Sequence, residues 1–280
     1  MLSTPNQGEM DMLLYHYTNQ AGFLGIMESG TLWATKIQYL NDNKEFFLAL
    51  SIADEILKER LRTEINRDVV IRLIRFREAL PRMNDVNVCV CSLSENGDLL
   101  SQWRGYASGL GGYSIGFDYD RLKAGFSRHD YVLMKCRYQP QEHEDFINNV
   151  IDTILMMFEG QPEPDHAEIE KPSAASRLFQ EHLSCVAAVL KDSSFSEEAE
   201  WRAISRRSLS PAELAFRPGH STLTPYHKLP FDNRQNGCVR EVIVGHTPNS
   251  ELAIAATQTL MQKMGLHVAL HASQIPFRNW

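Results

Sequence analysis

Between Asn87 and Leu93 the chain reads NVCVCSL, and no other feature restricts its fold as much. Side chains alternate between the two faces of a strand, and here both faces are apolar. Such a strand must be covered from both sides, which places it inside a sheet with packing above and below. Other segments supply that packing. LLYHYT (13–18), TLWAT (31–35), GYSIGFD (112–118) and the run from Tyr131 to Tyr138 read as further strands. Helical spacing recurs in NQAGFLGIMESG, with Phe23, Ile26 and Met27 on one stripe, Asn19 as N-cap and Gly30 as the stop. A second helix runs through Phe47, Leu50, Ala53 and Leu57, with Asn41 or Asp42 as its cap. A third spans about Asp68 to Leu80, with Val70, Leu73 and Ile74 facing in. Residues 141–190 are largely helical, interrupted by the Pro- and acid-rich QPEPDHAE, and a last helix covers about Ser250 to Met264. Strands and helices alternate irregularly. The expected fold class is therefore α+β: a mixed sheet with helices outside, in a single domain over 1–280 with a helical insertion at about 141–190.

Length and charge narrow the function classes. A chain of 280 residues buries a sizeable core, and its net charge of -7 argues against bulk electrostatic binding of nucleic acid, though not against a local basic patch. Arg72, Arg75 and Arg77 give the third helix such a basic side, which reads either as a solvated face or as a nucleic-acid contact. Five cysteines without a CxxC pair suggest neither a disulfide framework nor a structural zinc. The ten histidines are scattered, with no pair beside carboxylates on one element, so no metal is expected. The SGLGG turn (108–112) precedes a strand rather than a helix and fails the test for a nucleotide fingerprint. The polar first dozen residues carry no signal-peptide core, and no apolar run approaches the ~20 residues of a membrane span, so a cytoplasmic protein with no membrane partner is expected.

SSFSEEAEWRAI (193–204) carries the densest chemistry. Read as a strand, it turns Ala199, Trp201 and Ala203 to one side and Glu198, Glu200 and Arg202 to the other. Carboxylates two residues apart on a strand lie about 7 Å apart. Each opposes ionisation of the other, and Arg202 offsets that.

LYHYT, LWAT, YLND, SLSENGDLLSQWRGYASGLGGYSIGFD, EEAEWR, TPYHKL, REVIVGHTPN and SQIPFR together resemble a bacterial family known as a domain of unknown function, over nearly the whole chain. A fold-level resemblance carries more chemistry. A first-strand histidine, then a helix, a glycine and a short strand, is similar to the start of ADP-ribosyltransferase toxins. An aromatic residue in a loop before Glu-x-Glu, here Phe195, Glu198 and Glu200, is similar to the motif that closes their catalytic cores.

The ADP-ribosyltransferase resemblance implies a split β-sandwich with helical insertions that uses NAD as substrate. It implies Glu200 as the catalytic carboxylate, with Glu198 orienting or deprotonating the acceptor. His16 would hold the ribose and Tyr113 the nicotinamide, with Tyr17 or Tyr106 as rivals, and Thr18 counts with them as an NAD-binding residue. The usual Ser-Thr-Ser strand is absent, and GYSIG stands in its place. Arg104 and Arg217 suit the pyrophosphate, since a guanidinium forks onto phosphate oxygens. The function so implied is a mono-ADP-ribosyltransferase acting as a toxin or anti-phage defence effector. Its acceptor would be a macromolecule, nucleic acid favoured over protein, and its neutralising partner an antitoxin. Two alternatives stand beside it: an NAD glycohydrolase with the same site, and a non-catalytic ligand-binding module.

Overall fold

The computed structural model describes residues 12–40, 43–107, 111–162, 172–219, 221–234 and 237–276. The proposed cap at Asn41 or Asp42, most of the SGLGG turn and most of QPEPDHAE lie outside the described residues. The protein is α+β, with about 49% helix and 25% strand among the described residues. It divides into two compact units, each assembled from segments distant in sequence.

The first unit comprises the described parts of 1–31, 93–126 and 230–280. Strands β1 (Leu13–Asn19), β4 (Gly112–Asp118), β9 (Val239–Val244) and β10 (Ala269–Ala272) lie in the order β10-β9-β4-β1. β1–β4 and β4–β9 are antiparallel and β9–β10 is parallel, so the sheet is mixed. Helix α1 (Gln20–Ser29) starts where Asn19 accepts the Gly22 amide at 2.8 Å. It stops at Gly30, whose φ of 62° is left-handed and suits glycine. The α1 stripe of Phe23, Ile26 and Met27 is buried, and Phe23 stacks on Tyr113 at 4.0 Å. Helices α4 (Leu100–Tyr106), α5 (Tyr119–Ser127) and α8 (Ser250–Lys263) complete the described elements centred on this unit. On its other side, Asp98 accepts from Trp103 Nε1 and Ser273 Oγ, both at 2.6 Å, and from the Gln274 amide at 2.8 Å. One carboxylate thus fastens the DLLSQW stretch to Ser273 and Gln274.

The second unit comprises the described parts of 32–92 and 127–229. Strand β3 (Cys89–Ser94) pairs with β2 (Thr31–Lys36) and with β6 (Glu200–Ser205). β6 also pairs with β5 (Tyr131–Lys135), and β8 (Leu223–Pro230) lies between β2 and β7 (Ala215–Pro218). Cys89, Val90, Cys91 and Leu93 are all buried, so both faces of β3 are covered. Helices α2 (Asn43–Thr63), α3 (Arg67–Ala79), α6 (Pro140–Met157) and α7 (Ala174–Ala187) pack into one apolar cluster. Phe46, Leu57, Phe76, Ile151, Phe179 and Ile204 are among its buried members, with Phe76 and Phe179 stacked at 4.5 Å.

Two local expectations need correction. The third helix turns only some of its arginines to solvent: Arg77 is exposed, but Arg72 and Arg75 are buried. Arg72, Leu73, Arg75, Phe76 and Ala79 form its buried face, while Val70 and Ile74 are half-buried. The Glu-x-Glu stretch is not a continuous strand either. Residues Ser193–Glu198 make a 3-10 turn, Ala199 is left-handed, and β6 begins only at Glu200.

Candidate functional site

The carboxylates singled out from the sequence lie in the second unit, where the chain folds back on itself three times. After α7 it reaches Lys191, whose amide bonds Arg137 O at 2.9 Å. Asp192 then caps the 3-10 turn by accepting the Ser194 amide. The turn ends at Ala199, with φ 41° and ψ 51°. A left-handed non-glycine residue costs roughly 1–2 kcal/mol, so surrounding contacts must hold it. On its far side Glu200 O accepts the Cys136 amide at 2.9 Å, and the Glu200 amide donates to Tyr138 Oη at 2.8 Å. The Cys136–Tyr138 segment therefore pins both Lys191 and Glu200.

This geometry draws the two carboxylates onto one ammonium. Lys191 Nζ donates to Glu198 Oε2 and to Glu200 Oε2, each at 2.6 Å. Both thus approach one nitrogen, where a regular strand would hold them about 7 Å apart. Arg202 forks onto Glu200 with Nε–Oε1 at 2.8 Å and Nη2–Oε2 at 3.0 Å, and its Nη1 donates to Ala188 O. The Lys191 ammonium also sits 5.0 Å from the centre of the Phe195 ring.

Exposure separates the two carboxylates: the side chain of Glu198 keeps 19% of its surface and that of Glu200 only 7%. Burial pushes the Glu200 carboxyl up, but Arg202 and Lys191 outweigh it and hold it at about 2. Burial pulls the Lys191 ammonium down, yet the Glu200 carboxylate leaves it raised above the usual lysine range. The Tyr138 phenol is pushed up to about 12, chiefly by burial, and remains neutral. Glu200 is therefore an ionised, fully committed acceptor, and Glu198 is the carboxylate with surface to offer a ligand.

The remaining predicted residues fall in three places. Arg217, on β7, belongs to the same unit as the carboxylates. Its Nη2 donates to Thr35 Oγ1 at 3.1 Å and its guanidinium lies 5.5 Å over the Trp33 ring. Burial pushes the Cys91 thiol up to about 12, Glu200 adding to that and Arg217 offsetting it.

His16, Thr18 and Tyr113 lie in the first unit. Register pairs His16 with Ile115 and Thr18 with Tyr113, which puts all three on one face of β1 and β4. That face packs beneath α1: Tyr113 is buried and accepts from Thr257 Oγ1 at 3.3 Å. Tyr17 points the opposite way, donating to Asn96 O at 2.6 Å and standing edge-on to Trp103. Arg104 and Tyr106 are exposed on α4.

Arg72, Arg75 and Arg77 have structural neighbours. Arg72 donates to Gln161 O and lies over Phe158, Arg75 is buried, and Arg77 Nε pairs with Asp54 Oδ1 at 2.6 Å. A phosphate would have to displace those arrangements.

Sequence reasoning passed over Lys191, Tyr138 and Trp33. Lys191 opens the KDSSF stretch immediately before the turn, and a lysine so close to two glutamates is the signal that could have identified it. Tyr138 and Trp33 carry no local signal, because their neighbours come from other strands.

Against known proteins, the family model described as "Protein of unknown function (DUF2971)" matches residues 102–203. That is just over a third of the chain, whereas the resemblance read from the motifs covers nearly all of it. The matched stretch runs from α4 through β6 and includes Glu198 and Glu200, but not His16 or Arg217. No curated protein and no solved structure matches the chain.

Proposed function

We propose that the protein is an NAD-consuming ADP-ribosyltransferase whose reacting carboxylates are Glu198 and Glu200. One observation carries the reading: two carboxylates of unequal exposure meet on one lysine across a left-handed alanine. Backbone strain of this kind concentrates where a site must hold side chains in a fixed relation. In the reaction, the bond between the ribose C1′ and the nicotinamide nitrogen breaks, and nicotinamide leaves with the bonding pair. Positive charge develops on the ribose, which a fixed carboxylate stabilises. The acceptor nucleophile then bonds C1′ and releases a proton, for which Glu198 is the accessible base. Glu200 touches the ribose only if Lys191 withdraws from it; otherwise it acts by holding Lys191 and Arg202. The split β-sandwich belongs to the same reading. So does a macromolecular acceptor, nucleic acid or protein.

A second reading is a non-catalytic ligand-binding module. The specific observation in its favour is that Glu200 already faces two cations and has no charge left uncompensated. Nicotinamide release from NAD separates the readings. Release only when cell extract supplies an acceptor supports the transferase. Release without extract supports a glycohydrolase, and no release under either condition supports the module. Within an active protein, Glu198→Gln abolishes acceptor modification and leaves slow NAD hydrolysis; full transfer by that variant refutes its role as base.

A further inference from the structure

Arg217 is a half-buried cation on β7, and among the described residues no carboxylate lies within ion-pair distance of it. Arg202, Arg207 and Arg240 show the contrast, each forking onto or pairing with an acid. Among the described residues Thr35 Oγ1 is the one hydrogen-bond acceptor of Arg217. A guanidinium has five N–H donors, so most of its fork remains to be satisfied.

The group is nevertheless held in place. Thr35 fixes one end at 3.1 Å, and the Trp33 ring lies beneath it at 5.5 Å. Trp33 rests in turn on Tyr226 at 4.6 Å, with 30° between the planes. Trp33 keeps 38% of its surface exposed, so the stack reaches solvent. An oriented guanidinium with spare donors and no counter-ion is complementary to phosphate oxygens. Its planar group also offers a surface on which a base can stack.

We infer that Arg217 binds a phosphate of a nucleotide whose base extends the Tyr226–Trp33–guanidinium stack. The ligand class is a nucleoside diphosphate, taken as the ADP portion of a free dinucleotide. Only the identification of that dinucleotide as NAD rests on the function proposed above; the phosphate contact does not.

The test is calorimetric titration of the full chain with ADP, beside adenosine, which lacks phosphate, and ribose 5-phosphate, which lacks the base. ADP is expected to bind at least about tenfold more tightly than either fragment. Arg217→Gln should weaken ADP binding about 10–100-fold, the effect of losing a charge-assisted hydrogen-bond pair. Arg217→Lys keeps the charge without the fork and should recover only part of it. Trp33→Ala should weaken ADP but leave ribose 5-phosphate nearly unchanged. Thermal melting accompanies each variant; if Arg217→Gln does not fold, Arg217→Lys and Thr35→Val carry the test. The inference is overturned if the wild type does not bind ADP, or if folded Arg217 variants bind it equally well. NAD turnover with an unchanged KM in Arg217→Gln would sink this site and leave the enzyme reading standing. Arg217-dependent ADP binding without any NAD turnover would do the reverse.

Discussion

Replacing Glu200 by Gln should destabilise the fold, and the structure sets the size of the effect. Considered only as one of two neighbouring carboxylates, Glu200 should relieve repulsion when neutralised. In the folded chain it is buried between Lys191 and Arg202, so neutralising it leaves two buried cations with less compensation. Breaking one side of a buried ion pair costs about 3–5 kcal/mol. Linkage gives a similar figure. The Glu200 carboxyl falls from 4.5 to about 2 on folding, worth about 3 kcal/mol at 1.36 kcal/mol per pH unit. Because the folded value is depressed, this stability is present above pH 4.5 and lost as pH falls toward 2. Urea unfolding of wild type and Glu200→Gln, followed by circular dichroism from pH 7 to pH 2, measures both quantities. The gap should be about 3 kcal/mol at pH 7, hold down to about pH 5, and close toward pH 2. A gap below 1 kcal/mol at pH 7, or one independent of pH, would refute the buried ion cluster as described.

Ala199→Gly should stabilise the fold by about 1 kcal/mol, since glycine removes a left-handed penalty of roughly 1–2 kcal/mol at a smaller entropic cost; a loss of stability in urea melts would contradict the strained backbone. In an active enzyme the same variant should lose turnover, because the relation between Glu198 and Glu200 loosens. Arg72→Ala should cost about 2–3 kcal/mol through lost burial and the lost bond to Gln161 O. Arg77→Ala breaks a partly exposed pair with Asp54 and should cost less than about 1 kcal/mol. Equal losses in chemical denaturation would contradict the division between the two arginines. Burial pushes the Cys89 and Cys91 thiols up to about 12, so iodoacetamide at pH 8 should label them only after unfolding. Rapid labelling of the native protein, read by mass spectrometry, would show that the β3 thiols are accessible.

Much of the architecture is legible in local pattern. Alternation in LLYHYT and GYSIGFD marks β1 and β4, and the doubly apolar NVCVCSL marks a strand covered on both faces. Asn19 and Gly30 bound α1 because a side-chain cap and a left-handed stop are properties of single residues. Periodicity acts over a few residues, so it reveals elements and caps without deciding which distant residues become neighbours.

That choice belongs to the tertiary structure. The buried side of α3 carries Arg72 because Gln161 O and Phe158 receive it from far along the chain, and no helical wheel contains them. Strand alternation predicts Glu198 and Glu200 side by side on one face, but the 3-10 turn and Ala199 bring them instead onto Lys191. That two carboxylates stand close together follows from their positions in the chain. Only the fold decided that one would be buried and held at about 2 while the other kept access to solvent. The physical reason is that a charge's energy is set by its desolvation and its partners, and both depend on what the rest of the chain packs around it.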